Sequence, residues 1–189
     1  MSEDGRPAWF ETVGSREVYS GYSTVRIDTV QTPDGQRVER EIVERVGAVA
    51  IVPIDPDGRI LLLKQYRQAV GGYVLEIPAG LLDLSDEQPE VAARRELAEE
   101  LQHDAGELEH LITFVSSAGW STERTHVYLA RRCTPGRAPE GFVAESEEAD
   151  MEIVPMAAAD AFEAARSGAL VDAKSIIGLL LTEVRLGAG

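Results

Sequence analysis

The sequence predicts an α/β fold, a mixed sheet flanked by helices and preceded by an antiparallel β piece. Three observations carry this. Residues 47–54, GAVAIVPI, form a nearly continuous apolar run, as expected of a strand buried on both faces. Residues 37–46, RVEREIVERV, alternate charged and apolar side chains, as a strand with one wet face does. Helical segments then follow the strands without the steady β-α-β beat of a wholly parallel sheet.

Taken in order, residues 16–32 are rich in Tyr, Val, Thr and Ile with rough alternation and read as strands. Residues 32–36, TPDGQ, are a turn into the alternating strand. After the apolar run, DPDGR (55–59) reads as a tight turn, so that 47–54 and ILLLKQYR (60–67) form a hairpin. YVLEIPAG (73–80) is a short strand ending in a bend. A helix spans about Gln88 to Leu101, with Pro89 in its first turn and Ser85 with Gln88 as a capping box. Strands at 108–117 and 125–132 flank the loop AGWSTER. An acidic loop (140–150) leads to the strand MEIVPM, and helices over 157–169 and 172–186 complete the chain. The expected division is an N-terminal piece over 1–46 and a main domain over 47–189.

At 189 residues the chain is long enough to bury a proper core, and 44% hydrophobic with 27% charged residues describes an ordinary globular protein. A net charge of −15 argues against a long nucleic acid as partner, because phosphate backbones need basic surfaces. It leaves small phosphate compounds open, provided metal ions and local arginines shield them. The single cysteine, Cys133, has no partner for an internal disulfide and reads as structural or incidental. The N-terminus MSEDGRPAWF has no apolar signal core, and IIGLLL (176–181) is too short to span a bilayer. The expectation is a cytoplasmic protein with no membrane partner. The histidines His103, His110 and His126 match no zinc spacing and read as structural or exposed.

The helix over 88–101 raises the chemical question. Glu96, Glu99 and Glu100 are three and four residues apart, so their carboxylates share one face. Ala93, Leu97 and Leu101 recur on another side, for the core. Arg95 pairs with Glu99 or reaches back to Glu87. One reading is a solvated acidic face. The other is a site for a hard cation, because no lysine dilutes the cluster and the preceding Pro-Ala-Gly bend aims backbone carbonyls at the same point. Carboxylate and carbonyl oxygens suit Mg²⁺ or Mn²⁺ serving a phosphate substrate.

Glu87, seven intervening residues and RELAEE (95–100) resemble the Nudix box in type and spacing. The resemblance implies an α/β/α sandwich and hydrolysis of a nucleoside diphosphate linked to another group. Two positions depart from the pattern. Six residues rather than five separate Gly80 from Glu87, and Gln102 and His103 stand where the box closes with glycine and an aliphatic residue. The flanking motifs LLLKQYR (61–67), LEIPAGLLD (75–83), SSAGWSTER (116–124) and ESEEADM (145–151), with the N-terminal piece, resemble the ADP-ribose pyrophosphatase branch.

Within that resemblance, the Ala79 carbonyl, Glu96 and Glu100 correspond to metal ligands, with Glu99 an adjoining ligand or supporting partner. Arg67 corresponds to the arginine on the diphosphate and Glu76 to a glutamate near the sugar. Tyr19 or Tyr22 either stacks on adenine or packs in its strand, and Trp120 either lines the pocket or packs its loop. The base comes from the late acidic loop: Glu147, with Glu148 and Glu145 as rivals. The resemblance implies a homodimer completed by the N-terminal piece, with Mg²⁺ (or Mn²⁺) as cofactor. The implied reaction converts ADP-ribose and water to AMP and ribose 5-phosphate. Its alternatives are another nucleoside diphosphate sugar such as GDP-mannose, or an ADP-ribose-binding sensor without activity.

Overall fold

In the computed structural model, residues 9–141 and 150–187 are described. The chain divides into two compact units, Met1–Val46 with Val115–Glu123, and Gly47–Phe114 with Arg124–Gly189. The first holds three antiparallel strands in the order β1 (Glu11–Ser20), β2 (Thr24–Gln31) and β3 (Arg37–Glu44). Asp28 is buried there, bonded by the Ser15 hydroxyl at 2.7 Å and Arg26 Nε at 3.0 Å. The turn expected at 32–36 forms, with Gly35 in the left-handed region (φ 86°) donating to the Thr32 carbonyl at 2.8 Å. The segment Val115–Glu123, which the sequence reading leaves in the main domain, clusters with this unit. Val43 N–H donates to the Trp120 carbonyl at 2.8 Å and Thr122 N–H to the Val43 carbonyl at 3.1 Å.

The second unit contains β4 (Ala48–Pro53), β5 (Arg59–Arg67), β6 (Gly72–Glu76), β7 (Ala79–Leu81), α1 (Pro89–Leu101), β8 (His103–Asp104) and β9 (Glu107–Val115). It continues with β10 (Arg124–Arg131), β11 (Thr134–Pro135), β12 (Glu152–Ala157), α2 (Ala158–Ser167) and α3 (Ala173–Leu186). One sheet runs β7-β4-β10-β9, parallel between β4 and β10 and antiparallel between β4 and β7. A second runs β12-β5-β6, antiparallel throughout, and β8 and β11 form a short ribbon. Alternate residues of β4 and β5 enter opposite cores. Ala50, Val52, Ile60 and Leu62 pack with Phe162 of α2 and Leu179 of α3. Val49, Ile51, Leu61 and Leu63 pack with Ala92, Ala93, Leu97 and Leu101 of α1. This is the α/β/α sandwich, and the unbroken apolar run of residues 47–54 reflects helices on both faces.

The expected hairpin of β4 and β5 needs correction. The tight turn is present, with Asp55 N–H bonded to the Arg59 carbonyl at 3.0 Å, but pairing stops at an isolated Ile54–Ile60 bridge. Beyond it β4 pairs with β7 and β10, and β5 with β6 and β12. Each strand is apolar on both faces and is buried within its own sheet.

The capping box is also corrected. Helix α1 begins one turn later than Ser85 would allow, with Gln88 as an N-cap that makes no side-chain bond and Pro89 in the first turn. At the other end Gln102 adopts the left-handed conformation (φ 53°, ψ 44°), and its N–H donates to the Ala98 carbonyl at 3.1 Å. Gln102 thus makes the turn that a closing glycine would make. His103 starts β8 and its ring Nδ1 lies 2.6 Å from the Leu101 carbonyl. Among the described residues, no helix is long and apolar enough to cross a membrane.

A non-glycine residue in the left-handed region costs about 1 kcal/mol. Gln102 is exposed, so Gln102→Gly removes that strain without opening the core. It is expected to raise unfolding stability by roughly 0.5–1 kcal/mol, measured by urea denaturation.

Candidate active site

The charged face of α1 is organised by one guanidinium. Arg95 Nε and Nη2 donate to the two Glu87 oxygens at 3.0 and 2.9 Å. Its Nη1 donates to Glu96 Oε1 at 2.6 Å and Glu99 Oε2 at 2.9 Å, and Nη2 also reaches the Leu81 carbonyl at 3.3 Å. The sequence left Arg95 choosing between Glu87 and Glu99; it takes both. One side chain therefore ties together the loop before the helix, the end of β7 and two turns of α1. Three carboxylates surrounding it hold Arg95 firmly protonated.

Glycine at position 80 is required by closeness, not by backbone angle. A Cβ there would lie 1.9 Å from the Glu96 carboxyl carbon, so the bare backbone of β7 is what admits that carboxylate. Next to it, the Ala79 N–H donates to Glu100 Oε2 at 2.9 Å. The Pro-Ala-Gly bend and the carboxylates of α1 are thus in direct contact. Burial pushes the Glu96 carboxyl up to about 7; Arg95 opposes this rise, while the charges of Glu99 and Asp83 add to it.

A second charge cluster lies at the end of β6. Glu76 is buried, at 3% exposure, and receives a two-pronged bond from Arg67, Nε to Oε1 at 2.7 Å and Nη2 to Oε2 at 2.9 Å. Lys174 Nζ also bonds Glu76 Oε2 and lies 3.0 Å from Asp172 Oδ1. Asp172 caps α3 by accepting from Ser175 N–H at 2.9 Å, and Ser175 Oγ accepts from Ile77 N–H at 2.8 Å. The pairing with Arg67 and Lys174 holds the Glu76 carboxyl below its usual range against the opposing effect of burial. The bond to Glu76 raises Arg67, and the charges of Glu100 and Asp172 add to it, so the two clusters share one field.

The structure thus brings together Ala79 with Glu100, Glu96 with Glu99, and Arg67 with Glu76. Sequence reasoning missed Lys174 and Asp172. Their signal was present: a lysine in the first turn of a helix opposes the helix dipole and calls for a nearby carboxylate. Tyr22 and Trp120 belong to the first unit. Tyr22 is exposed beneath the Arg45 guanidinium, 5.1 Å from its ring centroid, and Trp120 is exposed with its carbonyl bonded to β3. Glu145, Glu147 and Glu148 lie outside the described residues. His110 and His126 both lie 2.9 Å from the Thr113 hydroxyl. Cys133 is buried, which pushes its thiol up to about 11 and leaves it inert.

Could the α1 face hold a cation? Among the described residues no three acidic, histidine or cysteine side chains stand together as a ready metal cage. Arg95 lies between Glu96 and Glu99 in that role. The donor set nevertheless fits a hard divalent ion: three carboxylates, a backbone bend in contact with one of them, and a buried Glu96 whose charge Arg95 does not fully compensate. Gly80 leaves the room for that carboxylate.

Comparison with known proteins bears on the family and the fold. A family model of the NUDIX domain matches residues 44–174. The ADP-ribose pyrophosphatase of Mycobacterium tuberculosis is 39% identical over 172 residues, covering 90% of this chain and 82% of its own. The ADP-ribose pyrophosphatase of Bacillus subtilis is 30% identical over 180 residues, covering 93% of each. A solved structure described as an ADP compounds hydrolase superposes with a TM-score of 0.82 over 95% of both chains at 23% identity, a likeness of fold.

The raised Glu96 carboxyl has a consequence for stability. Its folded value, about 7, exceeds its ordinary value of 4.5, so the folded state binds more protons between those pH values and loses stability as pH rises through them. Glu96→Gln abolishes that loss. In urea titrations in the presence of EDTA, the variant is expected to gain stability over the parent as pH rises from 5 to 7.5; parallel curves would show that Glu96 titrates normally.

Proposed function

The chain belongs to the Nudix domain family, and from that premise we propose that it is a divalent-metal-dependent pyrophosphatase acting on ADP-ribose. The products are AMP and ribose 5-phosphate. Water oxygen forms a bond to one phosphorus of the diphosphate, the bridging P–O bond breaks, and the water's proton passes to a base. The observation that carries this reading is the α1 face, where Glu87, Glu96 and Glu99 converge on the single guanidinium of Arg95 and Glu100 is held by the backbone of Ala79. The two pyrophosphatase relatives, similar along most of their length, support the choice of substrate.

In this reading Glu96, Glu99, Glu100 and the Ala79 carbonyl hold Mg²⁺, with Mn²⁺ as a substitute. When bound, the metal neutralises negative charge developing on the diphosphate. Arg95 aligns the carboxylates. Arg67 turns its guanidinium to the diphosphate oxygens, a geometry that suits two-pronged donation. Glu76 serves the sugar side. The base in this reading is Glu147, with Glu148 and Glu145 as its rivals.

A homodimer is part of the same proposal. All ten residues of β1 are exposed, and Val13, Val18 and Tyr19 in it, with Trp9 and Phe10 before it, place apolar surface on an edge strand. Such an edge invites a second copy of the chain. A cytoplasmic location suits the single buried cysteine, which forms no disulfide.

The deciding experiment measures turnover of ADP-ribose and GDP-mannose with Mg²⁺ and with Mn²⁺, releasing phosphate from the products with a phosphatase. ADP-ribose is expected to be strongly preferred. Preference for GDP-mannose would reassign the substrate, and no turnover of either would favour a binding module. Glu100→Gln keeps an acceptor for the Ala79 N–H but loses the charge, so turnover should vanish while the melting temperature holds. Glu147→Gln should lower kcat with metal affinity unchanged; the same result from Glu148→Gln alone would move the base by one residue. Light scattering should give a dimer mass, and Val18→Asp with Tyr19→Asp should shift it towards monomer.

A further inference from the structure

Resting on the reading of Arg67 as a diphosphate ligand, we propose that Lys174 is a positioning residue for substrate binding: it holds the Glu76 carboxylate so that Arg67 is free to leave it. Glu76 is buried, with a side chain 4% exposed, and a lone carboxylate at such depth requires a counter-ion. It has two, Arg67 and Lys174. Glu76 thus keeps a second counter-ion should one leave, and side-chain exposure indicates which of the two is releasable. The Arg67 side chain is 37% exposed, whereas that of Lys174 is 17% exposed and also bonded to Asp172.

Lys174 is itself anchored. It sits in the first turn of α3 beside the N-cap Asp172, and its neighbour Ser175 accepts from the Ile77 N–H next to Glu76. The helix end and the end of β6 are thereby fastened at two adjacent points. With Arg67 in place the cluster has two cations and two carboxylates, Glu76 and Asp172. When Arg67 turns to a diphosphate, Lys174 still touches both carboxylates. Without Lys174, the same movement would strand Glu76 as a buried, unpaired charge. Its loss would therefore weaken the bound ground state and the transition state alike, which appears in KM and not in kcat.

Steady-state kinetics of the full chain with ADP-ribose and Mg²⁺ test this. Lys174→Met is expected to raise KM about tenfold, the effect of one charge-assisted bond, with kcat changed less than about twofold. Lys174→Arg, which reaches the same two carboxylates, should keep KM near the parent value. Lys174→Gln gives the same answer as the methionine variant if the latter does not fold. Arg67→Ala is the control. If it raises KM while Lys174→Met and Lys174→Gln do not, the role of Lys174 is overturned and that of Arg67 stands. An unchanged KM in Arg67→Ala overturns the reading of Arg67 itself. A fall in kcat and melting temperature that Lys174→Arg does not restore would mark a merely structural lysine.

Discussion

The shared guanidinium of Arg95 is the constraint on which the rest of the charged site depends. Glu96, Glu99 and Glu100 would repel one another on an isolated helix, and Glu87 lies just before it. Arg95 turns that repulsion into order by giving Glu87, Glu96 and Glu99 a common partner. It does so from within the helix, so the carboxylates are fixed relative to α1, and Leu97 and Leu101 fix α1 relative to the sheet. Apolar packing thus sets where the charges lie, and Arg95 sets where they point.

The second cluster follows a different logic. Around Arg95 the carboxylates outnumber the cation, whereas around Glu76 two cations attend one buried carboxylate. The first arrangement leaves negative charge uncompensated, whereas in the second Arg67 and Lys174 balance Glu76 and Asp172. In the function proposed above, the first would take the metal and the second the diphosphate.

Much of this was legible in the chain. Helical spacing put the three glutamates on one face, and the doubly buried run of residues 47–54 announced a strand between helix layers. The hairpin of β4 and β5 was not, because a tight turn specifies only the first pair of residues, while which sheet each strand joins is decided by partners far along the chain, β10 and β12. The capping box failed for a local reason. Asp86 takes the left-handed conformation (φ 63°) and Pro89 suits the first helical turn, so the helix starts after Gln88 and not after Ser85. Lys174 and Glu76 are 98 residues apart, and no periodicity links such positions. The left-handed Gln102 shows that a motif's closing glycine can be replaced where the backbone bonds of the helix end survive.

The loop between Gly80 and Glu87 holds one residue more than the box it resembles, and its two ends are pinned independently. Glu96 lies against Gly80 at one end, and Arg95 grips Glu87 at the other. Both anchors are adjacent residues of the same helix, so the span they close is set by α1 and not by the loop. Closing a flexible loop costs only slightly more as it lengthens, about 0.6 kcal/mol per doubling. The stretch over 83–86 can therefore change length at little cost beside the proposed site, where evolution or an engineer could insert residues to reshape selectivity.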